Sequence, residues 1–158
     1  MPLKGLDNTD RKILEILRDD GRITNIEIAD RVSLSPSPCL RRVKRLESEG
    51  VIRGYGAYLD GKKMGWEITA FIHLNIEKHR KSDSVYFKQQ LAEIDQVVWC
   101  LALAGNWDLL LLVAALNLDD YFELAQKIGG LEYVKEIQST IVVGEIKTFN
   151  GLPIPDTT

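Results

Sequence analysis

A net charge of −3 over 158 residues excludes polyanion binding through bulk charge, and a hydrophobic share of 45% excludes global disorder. The length suits one ordinary domain or two small ones. Cys39 and Cys100 lie too far apart for a metal pattern or a disulfide framework, and they fit a reducing cytoplasm.

Charge is unevenly placed. Residues 1–61 hold 11 Lys and Arg against 10 Asp and Glu, and residues 62–158 hold 9 against 13. Any contact with nucleic acid must therefore come from a local patch. The N-terminus lacks an apolar stretch of the signal-peptide kind.

The first predicted helix is DNTDRKILEILRDDG, with Asp7 as N-cap, Asp10 three positions on, and Ile13, Leu14 and Leu17 as its apolar stripe. Gly21 is expected to end it. The second is TNIEIADRVSL, where Thr24 and Glu27 form a T-x-x-E capping box. The third starts in SPSPCLRRVKRLESEG, with Ser37 expected as N-cap, Pro38 as first helical residue, and Leu40, Val43 and Leu46 facing inward. Arg41, Arg42, Lys44 and Arg45 are then pushed to its flanks and outer face. A short helix, a tight turn and a basic helix make a helix-turn-helix whose last helix enters the major groove N-terminus first. The free N–H groups of that terminus favour phosphate. In VIRGYGAYLDGKKMG, short apolar pieces around glycines predict a β-hairpin wing, with Arg53 as a backbone contact.

After Gly65 the period changes to two. Residues 66–77 alternate as a strand, with His73 on a sheet face, and residues 77–81 are expected as an exposed strand end or loop. SDSVYFKQQLAEI predicts a helix capped by Ser82 or Ser84, with Phe87, Leu91 and Ile94 on one face. Residues 97–116 are long and apolar enough to raise a membrane span, but Asp108 near the centre would cost roughly 2.5–3.5 kcal/mol. Two strands around the turn Gly105-Asn106-Trp107-Asp108 explain the segment better. LDDYFELAQKIGG predicts a helix with Asp119 and Asp120 at its positive end, stopped by Gly129-Gly130, and VKEIQSTIVVGEIK a last strand.

The order β-α-β-β-α-β predicts a ferredoxin-like domain of the α+β class. Its helices cover one sheet face, and the other, expected to be rich in Ile, Val and Leu, calls for a second copy of the chain. The domain boundaries expected are 1–61 and 62–158, with GLPIPDTT as a loose tail. No phosphate loop, metal-spaced His/Cys set or catalytic triad is found, so neither an enzyme nor a cofactor is expected.

The combination R-x-x-R-L-E-x-x-G-x-I-x-G-Y (Arg42 to Tyr55), following LDNTDRKILEILRDDGR and TNIEIADRVSLS, resembles the Lrp/AsnC (feast/famine) family of prokaryotic transcription regulators. AGNWDLLLLV and QSTIVVGEIK extend the resemblance over residues 5–150. It implies a winged helix-turn-helix joined by a hinge to a ferredoxin-like sensing domain. The protein would be cytoplasmic, bind double-stranded DNA, form a homodimer and then a tetramer or octamer, and respond to an amino-acid effector. DNA contacts would come from Thr24, Ser35, Ser37, Pro38, Arg41, Arg42, Lys44, Arg45 and Arg53. The effector would lie between sensing domains, with contacts from Gly105, Asn106, Trp107 and Asp108 and with Ser139 and Thr140 on a facing strand. A dimer would place two recognition helices roughly 34–36 Å apart. The competing reading is an amino-acid-binding assembly protein whose helix-turn-helix only docks.

Overall fold

The computed structural model describes residues 5–77, 81–149 and 151–155. The chain divides into two compact units. One comprises the chain up to Tyr58 together with the segment from Lys147 onward, and the other is Leu59–Ile146. The boundary expected after Gly61 therefore falls between Tyr58 and Leu59. The tail groups with the first unit, whereas the sequence placed it with the second.

The first unit contains α1 (Asn8–Asp19), α2 (Asn25–Arg31) and α3 (Pro36–Ser48). The expected N-cap Asp7 and the expected capping box of Thr24 and Glu27 both form, and Asp10 makes the first cap a box as well. Asp7 and Asp10 exchange backbone-to-side-chain bonds of 2.8 and 3.1 Å, and Thr24 and Glu27 do the same at 3.3 and 2.9 Å. These bonds satisfy N–H groups that a helix start leaves unpaired. Helix α1 ends at Asp19, with Asp20 rather than Gly21 as its cap residue.

The tight turn after α2 is a Schellman motif. Leu34 N–H donates to Ala29 O at 2.9 Å, and Ser33 N–H donates to Asp30 O at 3.2 Å. Such a turn needs a left-handed residue, and Ser33 supplies it with φ 56°. A side chain there is strained by about 1 kcal/mol. Ser33→Gly is expected to raise the stability of this unit by up to about 1 kcal/mol, less the extra freedom glycine has when unfolded. Urea denaturation would check it, and a loss of stability would refute the strain argument. Asn25 Nδ2 donates to Pro36 O at 2.9 Å and ties the start of α2 to the start of α3.

Helix α3 begins earlier than expected. Ser35 is its N-cap and Pro36 its first residue, and Ser35 makes no side-chain capping bond. The buried residues are Cys39, Val43 and Leu46, while Leu40 is 41% exposed. The expected inward triplet was thus one residue out of phase at its first member: the small thiol of Cys39 fills the place assigned to Leu40. No strand forms in residues 51–60. Instead Val51 and Ile52 both donate to Leu46 O, and Tyr55 OH donates to Glu47 at 2.8 Å. The wing is an extended segment fastened to the end of α3 rather than a hairpin.

The second unit holds β1 (Ile68–Ile76), α4 (Lys81–Ala92), β2 (Val97–Ala102), β3 (Leu109–Ala115), α5 (Leu118–Gly129) and β4 (Val134–Ile141), after a short 3-10 turn at Lys62–Met64. The sheet order is β2-β3-β1-β4, antiparallel throughout, as the ferredoxin-like reading requires. Helix α4 is already formed at Lys81, so neither Ser82 nor Ser84 caps it. The loop expected at 77–81 lies largely outside the described residues. Asn117 caps α5 by accepting from Asp120 N–H at 2.9 Å. Strand β4 is shorter than expected, ending at Ile141 with one further bond from Val142 N–H to Thr69 O.

Register decides which side chains meet the helices. Ala70, Ile72 and Leu74 of β1 and Leu111, Val113 and Ala115 of β3 pack in one core with Phe87, Leu91, Tyr121, Leu124 and Ile128. A one-residue slip would turn this whole set outward. The opposite face alternates with it. It carries Phe71, Leu101, Leu110 and Leu112 among Thr69, His73 and Thr140. The Ile and Val residues expected there are mostly spent on the helix side, and the open face is built from Leu, Phe and polar residues.

Candidate functional site

The four basic residues clustered in α3 have two different fates. Arg42 Nη1 bonds Asp7 at 2.6 Å and Asp10 at 2.9 Å, and Arg45 Nη2 bonds the other Asp10 oxygen at 2.6 Å. The Asp10 side chain is fully buried. A buried carboxylate is costly unless its charge is compensated, and two guanidinium groups compensate this one. Arg42 and Arg45 thus fasten α3 to α1. These bonds occupy both guanidinium groups at the α1–α3 contact. Thr24 is likewise occupied: its hydroxyl donates to Glu27 Oε2 at 2.6 Å and accepts from Glu27 N–H.

Arg41 and Lys44 remain exposed. With Ser37 and Leu40 they fall at i, i+3, i+4 and i+7 along α3, which puts all four on one helix face. The face is therefore Ser37, Leu40, Arg41 and Lys44, with Pro38 half-buried beside it and Ser35 exposed at its start. Arg can bond guanine, Leu can touch a thymine methyl, and Lys and Ser suit phosphate. Pro36 and Pro38 carry no N–H. Among the first three residues of α3, Ser37 alone has a backbone donor to offer, so the helix end is a poorer phosphate cradle than expected. Arg53 is exposed in the wing segment. Tyr55 nearby has its phenol pushed up to about 12 by burial and by its bond to Glu47.

In the second unit the turn between β2 and β3 is tightly held. Asp108 N–H bonds Leu74 O and Asn75 Oδ1 at 3.0 and 3.2 Å, and Asp108 Oδ2 accepts from Ile76 N–H at 3.0 Å. Asn75 Nδ2 in turn donates to Glu136 at 3.0 Å. Asp108 thus closes the end of the β1–β3 ladder with one carboxylate oxygen. Trp107 lies against His73, with ring centroids 5.6 Å apart. His73 Nδ1 is buried with no hydrogen-bond partner among the described residues. Gly105 and Asn106 are exposed, and a Cβ built at Gly105 meets nothing within 4 Å.

Ser139 and Thr140 do not join this turn within one chain. They pair with Ile72 and Phe71, whereas the turn meets β1 at Leu74–Ile76. Three residues of strand separate them, roughly 10 Å. They also point to opposite faces, Ser139 with Ile72 towards the helices and Thr140 with Phe71 towards the open side. The structure gathers instead His73, Asn75 and Glu136 around the turn. The sequence marks His73 only as a sheet-face residue and is silent on the other two, because their position depends on strand register.

Two family models match the chain: a winged helix-turn-helix DNA-binding model over residues 6–53 and the Lrp/AsnC ligand binding domain over residues 69–152. The chain belongs to the Lrp/AsnC family of transcriptional regulators. It is 36% identical to the leucine-responsive regulatory protein of Rhizobium meliloti over 143 residues, 90% of this chain and 92% of the relative. The Escherichia coli K12 leucine-responsive regulatory protein is 33% identical over 154 residues, 97% of this chain and 94% of that one. A transcriptional regulator of Neisseria meningitidis, solved as its L-Met complex, superposes with a TM-score of 0.87 at 36% identity, over 94% of this chain and 96% of that one. An AsnC family regulator from Agrobacterium tumefaciens gives 0.86 at 30% identity, over 94% and 97%.

The regulator thus carries a DNA-binding helix-turn-helix and a ligand-binding domain of this family. The second unit has an apolar cavity of about 510 Å³ between α4 and β2, lined by Phe87, Leu91, Val97, Trp99 and Cys100 among others. No residue of the turn at 105–108 lines it. Burial pushes both the Cys39 and Cys100 thiols up, which disfavours the reactive thiolate. Among the described residues no group of His, Cys, Asp and Glu could hold a metal ion, and no helix is long and apolar enough to cross a membrane.

Proposed function

We propose that this regulator is cytoplasmic and reads DNA with the α3 face Ser37, Leu40, Arg41 and Lys44. We propose further that its DNA binding responds to an amino acid held at the turn 105–108. The reading is carried by Gly105. Its φ lies outside the left-handed region and no described neighbour crowds it, so no contact among the described residues requires glycine there. A ligand approaching the backbone closely would require it. Backbone N–H groups of the turn suit a carboxylate, Asp108 Oδ1 suits an ammonium, and Trp107 walls an apolar side chain. The complex of the Neisseria regulator with L-Met supports the same ligand class.

The site is completed by a second copy. Phe71, Leu101, Leu110 and Leu112 form an open sheet face, and Val143 and Ile146 beyond β4 are fully exposed. Apolar surface of that kind is covered in an oligomer. A homodimer is the first assembly, and a tetramer or octamer built from it would bring Ser139 or Thr140 of another copy towards the turn.

The experiment is DNA binding to the region upstream of the regulator's own gene at two salt concentrations, with and without a pool of the twenty amino acids. Affinity should fall steeply with salt and change about 5- to 150-fold with the pool, the usual range of coupling between two sites. Gly105→Val should keep DNA affinity and lose the response, because its side chain enters open space. A response that survives Gly105→Val would move the site elsewhere. Pool binding with no salt-sensitive DNA affinity would favour the assembly protein.

A further inference from the structure

We propose that the C-terminal segment is a clasp: residues 151–155 dock along the outer face of α1. The DNA-binding unit is then tied to the sensing unit at both ends of its own fold. The chain leaves the first unit after Tyr58, builds the second, and returns at Lys147. The linker is therefore one of two covalent connections.

The docking is specific in its geometry. Arg11 Nη1 donates to the Pro155 carbonyl. Gly151, with φ +83°, sits so close to Arg18 that a Cβ on it would lie 3.5 Å from Cγ and 3.8 Å from Cδ. Arg11 and Arg18 are seven residues apart and so share one face of α1, roughly 10 Å apart along the axis. Gly151 to Pro155 in extended form spans roughly 12 Å. The two lengths match, and the segment runs antiparallel to the helix. Pro153 and Pro155 fix φ in the extended range, which lowers the entropy lost on docking. Ile154 is half-buried while Leu152 is 78% exposed, so one side of the segment faces the domain. Arg11 and Arg18 belong to neither the α3 face nor the Asp10 network, and this contact gives them a role.

The consequence lies in the freedom of the DNA-binding unit. A unit held at one end by a linker samples many orientations, and one held at both ends samples few. Restricted orientation lowers the cost of placing two units on two half-sites at once.

The test pairs Arg18→Cys with Gly151→Cys in a Cys100→Ser background, within the full chain. Mild oxidation should close a disulfide within one chain in most molecules, because the sulfur of residue 18 would lie near the 3.5 Å position. In parallel, a chain stopped after Thr148 and the full-length variant Arg11→Gln should bind a duplex with two half-sites three- to tenfold more weakly. The salt slope should stay unchanged, which separates loss of the clasp from loss of a phosphate contact. Arg11→Gln also serves if Cys at the positive-φ position 151 prevents folding: exchange of the α1 amides should then speed up at least threefold. A disulfide only between chains, or none with α1 exchange unchanged in Arg11→Gln, would overturn the docking. Unaltered affinity in both released variants would overturn its role in DNA binding.

Discussion

Replacing Arg41 and Lys44 together by Ala is expected to weaken specific DNA binding by roughly 30-fold or more and to leave the fold intact. Both side chains are exposed on the α3 face, and among the described residues neither is bonded to another element. A guanidinium bonded to a base edge contributes about 1–3 kcal/mol of discrimination, and a lysine on phosphate adds a salt-dependent increment. The double variant should therefore lower the magnitude of the salt slope by about one to two as well as the affinity. Titration of one duplex at several salt concentrations, beside circular dichroism of the free protein, gives both quantities. Unchanged affinity with native dichroism would remove this face from the interface. Arg42→Ala and Arg45→Ala should behave differently. Their loss of binding should track a loss of stability, because they act by holding α3 against α1.

The second large effect is on stability. Asp10→Ala is expected to destabilise the DNA-binding unit by about 3 kcal/mol. Breaking a buried ion pair costs about 3–5 kcal/mol when the remaining charge stays buried. Here the orphaned charges are Arg42 and Arg45, whose side chains are 30% and 41% exposed and can turn to water, so the lower end applies. Alanine also removes the acceptor for Asp7 N–H in the capping box. Guanidinium titration, followed separately by helix signal and by the tryptophans Trp66, Trp99 and Trp107 of the second unit, should show an early transition in the first unit alone. A loss below 1 kcal/mol would mean that Asp10 is dispensable.

The sequence shows clearly what depends on neighbours a few positions away. The N-cap at Asp7 and the capping box at Thr24–Glu27 rest on i to i+3 pairs, and both form as expected. The alternation in β1 and the turn between β2 and β3 are equally local. The partners of Arg42 and Arg45 are not local. Asp10 lies 32 and 35 positions away, so a basic run that looks like a uniform outer face divides into fastened and free residues only once α1 packs on α3. The misplacement of Leu40 has a different origin. Leu40, Val43 and Leu46 follow a strict three-residue spacing, which drifts around a helix of about 3.6 residues per turn, whereas the buried Cys39, Val43 and Leu46 alternate four and three and stay in phase. In the second unit, the distance of Ser139 and Thr140 from the turn of their own chain is set by strand register, a long-range property, which puts them three residues along β1. The tail looked loose for the same kind of reason: its partners Arg11 and Arg18 are more than a hundred positions upstream.

The division of the first unit between the two ends of the chain also orders its birth. Synthesis delivers α1, α2 and α3 before the second unit, and the segment that packs on α1 after it. The sheet of the second unit, whose last strand ends at Ile141, emerges before that segment does. A nascent chain therefore finishes the unit that senses before it finishes the unit that grips the operator, and a chain truncated near its end would present the three helices without their last covering.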